Sequence, residues 1–219
     1  MEINAKQVNE LRKKTGAGIM DCKRALQECE GDLDKAVQHL REKGVAEAAK
    51  RSSKVTAEGK VDSYVHMGGR IGVLVEVNCE TDFVARGEDF QNFCREIAMQ
   101  IAAANPQYLK KEEVPEDLLN QEREIYRKQA LESGKPEKVL DKIVEGRLRK
   151  YFAEICLLEQ PYIREQKMSI DKLLKDLIAK TGENVVIRRF ARFQLGEGIE
   201  KKQEDLAAEV AKTLEQTKS

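Results

Sequence analysis

Apolar residues recur along this chain at two periods, and the changes of period mark its elements. From Asn4 to Gly44 they fall three and four apart, the spacing of one helical face. Val8 and Leu11 stripe a first helix, behind an Asn4/Gln7 pair that fits a capping box. Thr15-Gly16-Ala17-Gly18 breaks it. Ile19, Cys22, Leu26 and Cys29 stripe a second helix that Gly31 ends, and Asp32 is placed to cap a third. Leu33, Ala36, Val37 and Leu40 form the third stripe, and Gly44 is predicted to close it. Residues 1–45 thus read as a three-helix docking module, too small to bury much surface alone. Residues 46–56 read as a linker, helical at first and flexible near Ser52-Ser53.

The period then drops to two. KVDSYVHM and RIGVLVEVNC are β-rich runs joined at Gly68-Gly69, a hairpin signal. Val73, Val75 and Val77 alternate with Leu74, Glu76 and Asn78, so one face of that strand is buried. Helical spacing returns from Glu88 to Ala104, with Phe90, Phe93, Cys94, Ile97 and Ile101 inward and Asn105-Pro106 as the stop. Residues 115–158 read as two long helices broken at Ser133-Gly134-Lys135-Pro136, an antiparallel hairpin. A helix over Ile170–Ala179, a strand over Asn184–Leu195 and an amphipathic helix over Lys202–Gln216 follow. The predicted class is α+β: a three-helix bundle, then a core (57–198) of a three-stranded antiparallel sheet with helices packed on one face, then a C-terminal helix (199–219).

Charge narrows the function. The 39 basic and 39 acidic residues cancel, whereas a nucleic-acid binder normally carries a basic excess. Neutrality suits a protein partner instead. The five cysteines form no CxxC pair, and the two histidines are far apart, so neither a zinc site nor another metal site is expected. Scattered thiols of odd number point to a reducing cytoplasm and to small core residues. The N-terminus, MEINAKQVNELRKK, has neither the apolar core of a signal peptide nor the acid-poor bias of a transit peptide. No run reaches the roughly 18 apolar residues of a membrane span. A cytoplasmic chain, bacterial rather than an organelle precursor, is expected.

No Walker loop, Rossmann fingerprint, nucleophile elbow or HExxH is present, and Gly196-Glu197-Gly198 reads only as a turn. Neither an enzyme nor a cofactor is expected. The stretch that stands out is CETDFVARGEDF, Cys79 to Phe90, where a strand hands over to a helix. It sets the Asp82 carboxylate beside the Phe83 ring. Two readings are open: Asp82 caps the next turn and Phe83 fills the core, or the pair is a tool that acts on another protein.

Longer stretches carry a family resemblance. LRKKTGAGIMDCKRALQECEGDLDKAVQHLREKG (11–44) and GGRIGVLVEVNCETDFVARGEDF (68–90) resemble the elongation factor Ts family. The likeness continues through SGKPEKVLDKIVEGRLRKYF (133–152), QPYI (160–163) and FQLGEGIEKKQEDLAAEV (193–210). The resemblance implies a ubiquitin-associated-like N-terminal module and a core with a three-stranded antiparallel sheet. It also implies guanine nucleotide exchange on elongation factor Tu during translation elongation. Asp82 and Phe83 would form a wedge entering the G domain near the Mg²⁺ site. Arg12, Ile19 and Met20 would touch the G domain, and His66 a further domain of the partner. Longer members carry two related core subdomains; here the sheet-forming copy occurs once, which implies a homodimer through the sheets. Met20 lies off the stripe of its helix, as an exposed contact should, whereas Ile19 also fits core packing. Three other readings compete: a scaffold that binds without exchange, an RNA-associated protein favoured by the RRFAR stretch, and an enzyme.

Overall fold

The structure, a computed structural model, describes residues 3–51 and 53–199, with only the helical backbone described for 45–50. The helix expected over 202–216 lies outside the described residues. Helix α1 (Ala5–Thr15) starts at the expected capping box: Asn4 Oδ1 accepts the Gln7 amide at 2.8 Å, and the Gln7 side chain accepts the Asn4 amide in return. Helix α2 (Ile19–Glu28) follows, and Asp32 Oδ1 accepts the Asp34 and Lys35 amides at the start of α3 (Leu33–Arg51). Leu11, Cys22, Ala25, Leu26 and Ala36 bury together between the three helices.

The predicted stop at Gly44 is overturned: α3 runs on to Arg51. Gly44 is buried facing helix α8 (Ile170–Thr181), and a Cβ there would sit 3.0 Å from Ala179 Cβ. The glycine lets two helices approach closely; no proline follows it to end the helix.

Strands β1 (Glu58–Val65) and β2 (Ile71–Cys79) form the expected hairpin. The further strands are β3 (Pro161–Tyr162), β4 (Glu165–Ser169) and β5 (Val185–Gln194). The main sheet has the order β1-β2-β5, antiparallel throughout, with an irregularity at Glu76/Val77. Its inner face, Val73, Val75, Val77, Val185 and Ile187, packs on Phe90, Phe93, Ile97 and Ile101 of α5 (Glu88–Ala104) and on Leu177 and Ile178 of α8. Each such side chain, fully buried, stabilises the fold by about 1.5–3 kcal/mol. On its outer face Val61, Val65, Leu74 and Phe193 stand exposed among the described residues.

Several short elements were not foreseen, among them the 3-10 turns Lys111–Glu113 and Leu157–Glu159. A five-residue helix, α4 (Asp82–Arg86), precedes α5, and the small ribbon β3–β4 precedes α8. All are too short to display a period. Gln100 and Gln160, fully buried, tie the ribbon down: Gln100 Nε2 donates to Gln160 Oε1 at 3.1 Å, and Gln100 Oε1 accepts the Ile163 amide at 2.9 Å. The hairpin of α6 (Glu116–Glu132) and α7 (Glu137–Ile155) turns at Ser133–Pro136, with Gly134 at φ +70°.

Candidate functional site

The Asp82–Phe83 pair is built from the end of β2 outward. Cys79 closes the strand, buried, and its thiol is pushed up to about 11 by burial first and the nearby Glu183 charge second. The protonated thiol donates to the Thr81 carbonyl at 3.1 Å. Thr81 is extended (φ −129°, ψ 155°), and its hydroxyl accepts the Val84 amide at 3.4 Å. Thr81, not Asp82, is therefore the cap of α4, which removes the expectation that Asp82 caps this turn. Val84 and Ala85 turn inward and are buried. Asp82, Phe83 and Arg86 turn outward, and Asp82 pairs with Arg86 at 2.9 Å. Phe83 is 83% exposed; the core position belongs to Phe90, which is fully buried. An aromatic ring so bare on an ordered helix contributes little to the fold and is free to enter a partner.

Lys180 of α8 connects this pair to the N-terminal module. It pairs with Asp89 in the first turn of α5. It lines one hollow with Asp82 and Phe83 and a second with Lys13, Thr15 and Gly16. Its Cδ lies 3.5 Å from where a Gly16 Cβ would stand. Gly16 itself is the left-handed cap of α1, and α2 begins three residues later with Ile19 and Met20. These are 51% and 66% exposed, so Ile19 leaves the core stripe that its spacing allowed. Arg12 is exposed on α1. The structure thus brings the turn between α1 and α2, at Thr15 and Gly16, and Asp82–Phe83 to the two sides of Lys180.

His66 does not join them. It sits in the β1–β2 turn, exposed, with Tyr64 Oη 3.1 Å from its Nδ1. The whole of β2, Ile71 to Cys79, lies between that turn and α4, roughly 27 Å at the usual rise per residue.

The RRFAR arginines are engaged within the fold. Arg188 and Arg189 each bond Glu76 at 2.6 Å, and these bonds hold the Glu76 carboxyl below the usual range. Arg192 points to the inner side and reaches the Ala102 carbonyl near the end of α5 at 3.4 Å. Among the described residues no group of three His, Cys, Asp or Glu side chains could hold a metal ion, and no helix is long and apolar enough to cross a membrane.

Three residues that build the site were missed in the sequence. A threonine ahead of a new helix is a legible cap signal, so Thr81 could have been found. Lys180 and Glu183 reach the site only through the fold and carry no local signal.

The chain matches the family model described as Elongation factor TS over residues 4–197. It is 57% identical over 216 residues to an elongation factor Ts of Carboxydothermus hydrogenoformans, covering 99% of this chain and 100% of that one. It is 57% identical over 208 residues to that of Heliobacterium modesticaldum, covering 95% and 97%. It is 62% identical over 199 residues to that of Caldanaerobacter subterraneus, covering 91% and 100%. With a matched model over nearly its whole length and relatives of this identity and coverage, the chain belongs to the elongation factor Ts family.

Proposed function

We propose that this protein is a guanine nucleotide exchange factor for elongation factor Tu: it binds the GDP form, disturbs the Mg²⁺ and phosphate site, and so releases GDP and lets GTP rebind. It is a binding protein that carries out no covalent chemistry and needs no cofactor. The observation that carries this reading is Phe83, 83% exposed on a capped helix beside the Asp82 carboxylate. Mg²⁺ demands near-ideal octahedral geometry, so a ring and a carboxylate entering beside it loosen the nucleotide by shifting its ligands. Linkage makes the effect reciprocal: the factor weakens GDP by as much as GDP weakens the factor, with about 1.4 kcal/mol for each tenfold.

Contacts at separate points suit a partner of more than one domain. Arg12, Ile19 and Met20 dock on the G domain beside the wedge, and His66 meets a further domain. Residues 1–45 are the docking module and 57–198 the exchange core. Two copies associate through the open sheet faces, where Val61, Val65, Leu74 and Phe193 are exposed. This places the protein in the cytoplasm, where elongation takes place.

The test is stopped-flow release of a fluorescent GDP from elongation factor Tu, with the wild type and with Asp82→Ala/Phe83→Ala. Strong acceleration that collapses in the folded double variant is expected. Binding without any acceleration by the wild type would leave a scaffold in place of an exchange factor.

A further inference from the structure

We propose that Glu183 is the positioning residue of the exchange wedge, acting through Thr81 to fix the direction in which Asp82 and Phe83 point. The inference rests on the wedge reading above and deepens it.

The β2–β5 ladder ends at the pair Cys79 and Val185. Beyond that pair the Thr81 and Asn184 amides have no backbone carbonyl as partner. Side-chain carboxylates take that place in both directions. Glu183 Oε2 accepts the Thr81 amide at 3.0 Å, and Glu80 Oε1 accepts the Asn184 amide at 2.7 Å. Glu183 Oε1 also accepts the Thr81 hydroxyl at 2.7 Å. A hydroxyl has one proton and two lone pairs. Giving its proton to Glu183 leaves a Thr81 lone pair aimed at the Val84 amide, the bond that caps α4. Glu183 therefore holds both the backbone and the side chain of the residue from which the wedge helix starts. Bonds from neutral donors to an ionised acceptor are about twice as strong as neutral ones.

Glu183 is itself held. It follows Gly182, the left-handed cap of α8 at φ +72°, whose amide donates to the Ile178 carbonyl at 2.9 Å. Asn184, next along, is buried and donates its side-chain amide to the Lys54 carbonyl at 2.9 Å, just past the end of α3. A five-residue helix has too few internal hydrogen bonds to set its own orientation. Burial of Val84 and Ala85 holds its inner side, and this junction, which α8, β5 and the segment after α3 all share, fixes the residue from which it starts.

The experiment uses the full chain in five forms: wild type, Glu183→Ala, Glu183→Gln, Asp82→Ala/Phe83→Ala, and the triple variant combining that pair with Glu183→Ala. Two readings are taken, GDP release from elongation factor Tu at saturating factor and amide hydrogen exchange along the free chain. In Glu183→Ala the Val84 and Ala85 amides should exchange faster while those of β2 and α5 hold. Its saturating release rate should fall about tenfold, the change that ~1.4 kcal/mol produces. Glu183→Gln keeps one acceptor for the Thr81 amide and can donate to the Thr81 hydroxyl oxygen, so it should retain most of the rate. The triple variant should release GDP no more slowly than Asp82→Ala/Phe83→Ala. An added loss in the triple variant, or an equal collapse in Glu183→Gln, would overturn the proposal. Normal release by Glu183→Ala would also overturn it while leaving the wedge standing. Full activity of Asp82→Ala/Phe83→Ala would instead remove the wedge itself, and this inference with it. Should Glu183→Ala not fold, Thr81→Val cuts the hydroxyl bonds from the wedge side and carries the same expectations.

Discussion

Replacing Phe83 alone by alanine separates the work of the ring from the stability of the fold. The side chain is 83% exposed, so the free protein loses little, within the ~0.5 kcal/mol typical of surface changes. For a chain of this size that is at most about 2 °C in Tm. The bound state loses far more. An aromatic side chain carries roughly 150 Å² or more, and with 83% of it exposed about 125 Å² remains to be covered by a partner. At ~25 cal/mol/Å² this is ~3 kcal/mol, less the part a retained Cβ keeps, or ~2–3 kcal/mol. Exchange should therefore fall about 30- to 150-fold. The assay is GDP release over a range of factor concentrations, beside a thermal melt. A fall in the saturating rate places the ring's contribution in the opened state of the partner; a rise in the half-saturating concentration alone would assign it to uniform binding. A Tm lowered by more than about 5 °C, with normal release by the folded fraction, would refute the reasoning and make Phe83 a packing residue.

Other expectations follow from the same structure. Gly59→Ala puts a Cβ 2.2 Å from the Val77 carbonyl oxygen at φ +144°, so β1 should shift off β2 at a cost of about 2 kcal/mol or more, read as a lowered denaturation midpoint. Gly44→Leu should push α3 from Ala179 and destabilise by at least ~1 kcal/mol in the same assay, although leucine is the better helix former by nearly as much. Leu74→Asp/Phe193→Asp should turn a dimer into a folded monomer in sedimentation velocity; an unchanged sedimentation coefficient would remove the sheet face as the interface. Burial pushes Cys79 and Cys156 up to about 11 and Cys94 to about 12, while unfolded thiols ionise near ~8.5. Between those values the unfolded chain binds fewer protons than the native one, so stability should hold below about pH 8 and fall as pH rises toward 11. Denaturation midpoints across that range check it, and a stability that rose with pH would contradict the sign.

Much of the fold was legible because its elements are long enough to show a period. Helix α5 runs from Glu88 to Ala104 as its apolar spacing required, and the alternation of Val73, Val75 and Val77 marked the buried face of β2 correctly. The caps at Asn4 and Asp32 were legible too, because their partners lie within three residues. Short elements were not: α4 and the β3–β4 ribbon are held by bonds to distant residues, Glu183 and Gln100 among them. Gly44 misled for a related reason, since the signal for a helix stop and the need for close helix packing are the same residue.

For the candidate site, sequence alone determined which residues are unusual: an acid and an aromatic together on a strand-to-helix turn, and the motifs around them that mark the family. Chain order determined nothing about their exposure. That Phe83 stands bare while Phe90 fills the core was decided by α4 packing through Val84 and Ala85. The meeting of the N-terminal turn and the Asp82–Phe83 pair beside Lys180, and the grip of Glu183 on Thr81, were likewise decided in three dimensions. The physical reason is range. Periodicity and capping act over a few residues and are written locally, whereas these contacts join residues about a hundred or more apart that only the antiparallel pairing of β2 with β5 and the packing of α8 bring together.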